Sequence, residues 1–348
     1  MQVDDIDLVK KIQQRKKALG RELIILTHHY QRSDVVDLGD YAGDSFSLSQ
    51  TAASDQNARY IVFCGVHFMA ESAAILAQPG QTVQTPDPAA GCWMSDMADP
   101  YIVKKAWEKI MAIAGENHVT PMAYMNSEAA IKALCGRHDG IVCTSSNAAA
   151  AFAWALERRE KIFFLPDEHL GRNTADRLGI PEEAMILWDP YKPLGGNTEA
   201  GIKKAVVILW KGHCLVHTRF TVGHIREKRR AFPDAEVVTH PECTRSVIRE
   251  SDAVGSTSFI VNYTQNAAPG STIVIGTEIN LIRRLAAEHP DKTIVPLYDS
   301  LCPNMARINL DNLLTVLENP GRLNVVTVDD TVKKEARGAL DNMLSLKA

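Results

Sequence analysis

The chain has 348 residues, 45% hydrophobic and 23% charged, with 38 Lys and Arg against 42 Asp and Glu for a net charge of −4. That balance gives no reason to expect nucleic acid or a membrane surface as partner, and the length allows two or three packed cores. The N-terminus MQVDDIDLVKKIQQRKK lacks the apolar core of a signal peptide, no apolar run reaches membrane-spanning length, and seven cysteines without a CxxC pair point to a reducing cytoplasm rather than a disulfide framework.

In chain order, Ile6, Val9, Ile12 and Leu19 recur among charges and predict an amphipathic entry helix over 6–19. RELIILTHHY reads as a buried strand ending in His28, His29 and Tyr30. GDYAGDSFSLSQTAASD reads as a helix with Asp44 and Ser45 near the turn at its start. RYIVFCGVHFMAESAAIL is a strand running into a helix, and TVQTP leads to the loop of Cys92. After a helix at 100–114 the pattern restarts. PMAYMNSE is a strand whose end carries Tyr124, Asn126 and Ser127; GIVCTSSNAAAAFAWAL is strand, polar turn and helix; KIFFLPDEHLGR is strand and turn. The proline- and glycine-rich stretch Asp189 to Gly201 predicts a surface loop, and AVVILW then leads into KGHCLVH with Cys214. A third round runs from the helix TVGHIREKRRAF through AEVVTHPEC, DAVGSTSFIVNY and STIVIGTEINLIRRLAAEH to KTIVPL and Cys302, and the tail from Asn309 returns helical. Strand alternating with helix in three rounds argues for α/β units with parallel sheets.

Cys92, Cys214 and Cys302 share an address, each a few residues past a short apolar run and about a hundred residues apart. Strand ends are where α/β sheets put their ligand crevices, so the pattern suggests three units each offering one sulfur to a shared point. Inert turn residues are the plain alternative. As a set, thiolates select iron–sulfur clusters, zinc or copper(I), and three rather than four leave one metal position open. Cys64 and Cys143 lie in apolar strand patterns and read as core, while Cys135 and Cys243 receive no role. The same strand ends hold His28, Tyr30, Ser45, Tyr124, Asn126, Ser145, Asn147, His217, His240, Glu242, Ser256 and Thr257. Neutral hydroxyl and amide groups beside helix N-termini suit phosphate or carboxylate, although Ser145 and Ser256 taken singly read as ordinary N-caps. His240 and Glu242, two apart on an extended segment, face the same way and pair imidazole with carboxylate for acid–base work; a surface pair at a turn is the equal alternative.

Along the chain stand THHY, GDS, FMAE, the Cys92 loop, YMNS, CTSSNA, PDEHLG, KGHCLVH, HPEC, GST, GTEI and CPNM. Through these segments the chain from about Glu22 to Met305 resembles the quinolinate synthase family, iron–sulfur enzymes of bacterial and archaeal NAD biosynthesis. The resemblance implies three similar three-layer αβα domains with parallel sheets about a pseudo-threefold axis, here 1–105, 106–218 and 219–308, with the tail 309–348 packing back on the body. It implies a [4Fe–4S] cluster on Cys92, Cys214 and Cys302 with one iron open, and the condensation of iminosuccinate with dihydroxyacetone phosphate to quinolinate, phosphate and two waters.

Carried over residue by residue, it implies Glu242 as acid/base with His240 beside it, and Tyr30 with His28 as a substrate pair near the entrance. Tyr124 and Asn126 would contact substrate beside the cluster; Ser45, Ser145, His217, Ser256 and Thr257 would bind carboxylate or phosphate; Met69 would line the pocket. A cytoplasmic enzyme is implied, with transient contact to the oxidase or dehydrogenase that makes iminosuccinate, and no nucleic acid or membrane. His29 stands where relatives often carry Asn or Tyr, and Cys302 stands alone where some carry CxxC, so the resemblance gives His29 no function and makes a regulatory disulfide doubtful. The rival readings are an iron–sulfur sensor or electron carrier, which lacks any DNA-binding signature here, and a zinc lyase using the same thiols.

Overall fold

The computed structural model describes residues 3–115 and 117–346. Among these described residues, runs of two to six residues form thirteen strands in three sheets, and every ladder between named strands is parallel. The first sheet holds β1 (Leu23–His28), β2 (Tyr41–Gly43), β3 (Tyr60–Cys64) and β4 (Thr82–Gln84) in the order β2-β1-β3-β4. The second holds β5 (Val119–Tyr124), β6 (Ile141–Cys143), β7 (Lys161–Leu165), β8 (Met185–Trp188) and β9 (Val207–Trp210) in the order β6-β5-β7-β9-β8. The third holds β10 (Glu236–Thr239), β11 (Ala253–Val254), β12 (Thr272–Gly276) and β13 (Thr293–Pro296) in the order β11-β10-β12-β13. Each sheet therefore runs second, first, third, last, with β8 added at one edge. The chain reverses its winding beside the first strand, and the crevice that opens at such a point lies past the strand C-termini.

Both faces of the sheets are covered, as buried parallel strands require. Leu23, Ile25 and Val62 pack with Ile12 of the helix Val3–Leu19 and with Leu313 of Leu310–Glu318. Ile24, Leu26, Ile61 and Phe63 face the opposite way, toward Phe46, Leu48 and Ala73. In the third sheet Val237 and Val274 pack on Ile225 and Val247, while Val238, Ile273 and Ile275 pack on Ile260, Leu281 and Leu285. The C-terminal helix Asp330–Ser345 returns to pack on Ala129–Arg137 and β6. Among the described residues no helix is long and apolar enough to cross a membrane.

Three local expectations need correction. The stretch read as helix from GDYAGDS begins instead with strand β2; the helix starts at Ser45, because the Asp44 side chain accepts from the N–H groups of Phe46 and Ser47 and caps it. Residues 189–201 are not a free surface loop. They contain the tight turn Pro193–Gly196 and the start of Glu199–Lys204, and Asp189 is buried against the Lys211 ammonium at 2.8 Å. Gly195 lies flat on Trp188 with positive φ, where a Cβ would sit 2.5 Å from the indole. Ser145 is no N-cap; Asn147 holds that position before the helix Ala148–Leu156.

Candidate active site

The strand ends of all three sheets line one pocket of about 900 Å³, part of it open to solvent. Its composition repeats by topology. The first strands end at or just before His28 and Tyr30, Tyr124 and Asn126, and His240 and Glu242. Ser45 and Ser145 each stand two residues past the last paired residue of a second strand, as does Ser256, which lies outside the pocket lining. The cysteine loops follow the last strands, and each is tied at the residue two before its cysteine. His67 N–H donates to Ala90, Glu168 N–H to Gly212 and Ile279 N–H to Ser300, at 2.7, 2.9 and 3.0 Å. Gly212 of KGHC is required by that closeness, since a Cβ there would lie 2.4 Å from the Pro166 carbonyl oxygen.

A hydrogen-bonded chain crosses the pocket wall. Thr257 Oγ1 donates to the Tyr30 hydroxyl at 3.0 Å, Tyr30 meets Thr277 Oγ1 at 2.8 Å, Thr277 meets His217 Nε2 at 3.1 Å, and His217 Nδ1 meets Glu242 Oε2 at 2.6 Å. Burial alone would raise the Glu242 carboxyl. His217 and His240 beside it, with hydrogen bonds from His217 and Tyr124, outweigh that and hold it well below the usual carboxylate range. With Glu242 ionised, Nδ1 of His217 carries the proton and Nε2 accepts from Thr277, so every bond in the chain points toward the carboxylate. Desolvation, then the His217 ring stacked at 4.3 Å, lowers His240 to about 3. It is a neutral imidazole whose Nδ1 accepts from Glu242 N–H and whose Nε2 donates to Ser145 Oγ at 3.2 Å. Burial likewise lowers His28 to about 3, and its Nδ1 accepts from Tyr30 N–H. Burial, then the Glu242 charge, raises the Tyr124 phenol well above its ordinary value, so it stays a donor.

Cys92, Cys214 and Cys302 all line this pocket, and none is in a disulfide. Burial pushes their thiols up, Cys92 to about 12, with repulsion between Cys92 and Cys302 and between Cys214 and Cys92 adding to it. Three soft donors close enough to repel as thiolates, with the exposed Arg219 as the fixed cation among the pocket-lining residues, suit a bound metal group that brings its own positive charge. The donor set thus fits the cluster that the sequence implies. A second donor group is present: one atom each of Cys214, His217 and Glu242 lie within 4.8 Å of one another. There His217 Nδ1 and Glu242 Oε2 are already bonded to each other.

Of the sequence candidates, His28, Tyr30, Ser45, Met69, Tyr124, Asn126, Ser145, His217, His240, Glu242 and Thr257 line the pocket with the three cysteines. The buried Asn126 Oδ1 has no partner among the described residues. Ser256 faces a neighbouring cleft, and its Oγ caps the helix Thr257–Asn266 through Phe259 N–H. His29 is buried against Arg284 and does not line the pocket. Sequence reasoning missed Thr277, Asp167 and Glu278 and gave Asp44 only a turn. Asp44 gathers Ser146 and Ser258 from the other two sheets at 2.6 and 2.7 Å. Asp167 and Glu278, fully buried at the ends of β7 and β12, stand just before the residues that tie the Cys214 and Cys302 loops; Glu278 Oε1 accepts from Cys302 N–H. Their strand-end position was the available signal.

Three parallel sheets converging on one buried, metal-competent pocket define an α/β enzyme-type site rather than a nucleic-acid or membrane surface. A family described as "NadA: Quinolinate synthetase A protein" matches residues 10–345. The quinolinate synthase of Corynebacterium glutamicum is 47% identical over 347 residues, covering 98% of this chain and 88% of that protein. Those of Geobacillus kaustophilus and Bacillus anthracis are 49% and 47% identical, over 95% and 97% of this chain and 91% and 93% of theirs. The chain belongs to the quinolinate synthase family. Among solved structures, the E-1-hydroxy-2-methyl-but-2-enyl-4-diphosphate reductase of Plasmodium falciparum superposes with a TM-score of 0.28 and 11% identity over 90% of this chain and 93% of that one, too loosely to carry an argument.

Proposed function

We propose that this chain condenses iminosuccinate with dihydroxyacetone phosphate to quinolinate, phosphate and two waters, with a [4Fe–4S] cluster held by Cys92, Cys214 and Cys302. The observation that carries the reading is the convergence of three thiols from three sheets on the pocket that also holds Glu242 and its hydrogen-bonded chain. When bound, the cluster supplies a Lewis-acidic iron without a protein ligand. Glu242 takes and returns protons at Oε2, with His217 and Tyr124 donating to it between steps. Neutral His28 and His240, with Ser45, Ser145, Asn126 and Thr257, hold carboxylate and phosphate oxygens without burying fixed positive charge, and Ser256 supports Thr257 from the helix cap. Tyr30 and Tyr124 donate as phenols, while Phe68 and Met69 keep water from the imine.

In this reading residues 1–105, 106–218 and 219–308 are the three domains, with 309–348 as a returning tail, in a cytoplasmic enzyme of NAD biosynthesis that receives iminosuccinate from the oxidase or dehydrogenase making it. A second reading, one divalent ion on Cys214, His217 and Glu242, is favoured by the closeness of their donor atoms. Iron and acid-labile sulfide analysis of anaerobically purified protein, with quinolinate assayed from the two substrates, separates the two. Equal iron and sulfide with product formation is expected; a single metal without sulfide would overturn the cluster.

A further inference from the structure

Cys92 stands in a wall between two cavities. With Phe68 and Gly91 it lines the central pocket, and the same three residues line a second, outward cavity of about 820 Å³, part of it open solvent. The outer cavity is acidic. Glu71, Asp96 and Glu128 line it with Ser95 and with His67, whose Nε2 stands 3.8 Å from Glu71, and the buried Lys132, bonded to the Ser127 carbonyl and 5.5 Å over the Phe68 ring, is attracted to Glu71 and Glu128. Three carboxylates therefore outnumber one ammonium. Ser95 is only 3% exposed, and among the described residues neither its Oγ nor the buried His67 Nδ1 has a hydrogen-bond partner. Burial, then the charges of Glu71, Asp96 and Asp99, raises the Glu128 carboxyl, the repulsion that an added cation relieves.

We propose that this acidic cavity collects divalent cations and delivers ferrous iron to the thiol site through Cys92. The inference rests on the cluster reading of the thiols. Among the described residues, Cys214, His217 and Glu242 are the only metal-type donor trio within 4.8 Å of one another, so the cavity attracts hydrated ions by its field rather than through a preformed inner shell. Clefts lined by one sign of charge raise counter-ion concentration and arrival rates by about 10- to 1,000-fold, and salt abolishes the gain. The loop of Cys92 also lacks the tie that Glu278 gives Cys302 N–H, because Val66, at the matching place in the first sheet, has no side-chain acceptor.

The test compares full-length, metal-free wild type with D96N/E128Q, and with D234N/E183Q, whose lost charges lie at the opposite, N-terminal ends of β10 and β8. Each is loaded with limiting ferrous iron and sulfide, and the growth of cluster absorbance is timed. D96N/E128Q is expected to load about tenfold or more slowly at low ionic strength, to reach the same final iron and sulfide content, and to match wild type at about 1 M salt, where screening acts within about 3 Å. D234N/E183Q is expected to load like wild type. Equal rates for all three at low salt overturn the proposal. Mn²⁺ titration of the same proteins, followed by loss of the free-ion paramagnetic resonance signal, decides it if no cluster forms at all. Weak binding in wild type that is lost in D96N/E128Q supports the cavity, and equal binding overturns it. A wild type that binds Mn²⁺ but never takes up iron with sulfide would sink the cluster reading and leave the cation site standing.

Discussion

Glu242 is a buried carboxylate whose environment does two opposed things. Desolvation favours its acid form, but His217 at 2.6 Å, the nearby His240 ring and the Tyr124 hydroxyl stabilise the anion. Glu242→Gln keeps one acceptor oxygen for His217 Nδ1–H but removes the carboxylate charge and with it the group that takes and returns a proton. Quinolinate turnover should fall about 10²- to 10⁴-fold, with unchanged cluster content and melting temperature. Near-normal turnover would reduce Glu242 to holding His217 in place. The cysteines separate the same way. Cys214→Ser should abolish a stable cluster, while Cys64→Ala, buried in β3 away from the pocket, should keep it; the check is sulfide content after anaerobic purification, and a full cluster in Cys214→Ser would refute the ligand set.

At the scale of elements, the returning tail shows what close packing demands. The helix Asp330–Ser345 lies so near Ala129–Arg137 that a Cβ on Gly136 would fall 1.8 Å from the Glu335 carbonyl oxygen. Gly136→Ala should therefore destabilise the protein by about 1–3 kcal/mol or more, as overpacking does, although alanine is the better helix former. A melting temperature at or above wild type would mean that the two helices slide apart freely. Strands such as LIILTH and KIFFL were legible because parallel strands buried on both faces are continuously apolar. β2 was not, since Tyr41 and Ala42 are exposed at a sheet edge and make no apolar run, and β8, only four residues long and ending just before the proline-rich stretch at Asp189, received no reading. At the site, cysteines and histidines announced themselves by rarity and position. Thr277, Asp44 and the buried acids did not, because a threonine or a capping aspartate at a strand end is usually structural, and only the bonds from Tyr30, Ser146 and Ser258 distinguish these.

The whole molecule repeats one arrangement three times and spends the repeats differently. Convergence buries many titratable groups at one centre, and their titration should govern how the protein responds to acid. Burial lowers His28 and His240 to about 3 and His29 and His169 to about 4, against about 6.5 in an unfolded chain. A lowered histidine binds its proton sooner when unfolded. Its stabilising contribution is complete above about pH 6.5 and lost as pH falls toward the folded value, at up to about 1.4 kcal/mol per pH unit. Glu278, raised to about 7 by burial, and Asp167, raised by burial and then by Glu242, act in the opposite sense. They favour the fold below the ordinary carboxyl range and lose that contribution as pH rises. His213 is lowered too, and Glu128, Glu168 and Asp96 join the raised carboxyls, so number does not decide. Between pH 6.5 and pH 4.5 the four imidazoles held near 3 to 4 outweigh the carboxyls, and metal-free protein should lose stability across that range. Glu278→Gln keeps the acceptor for Cys302 N–H and removes one opposing group, so the decline should steepen. Denaturant midpoints across that range provide the measurement, and a flat or rising curve on acidification would show that the buried imidazoles are charged in the fold.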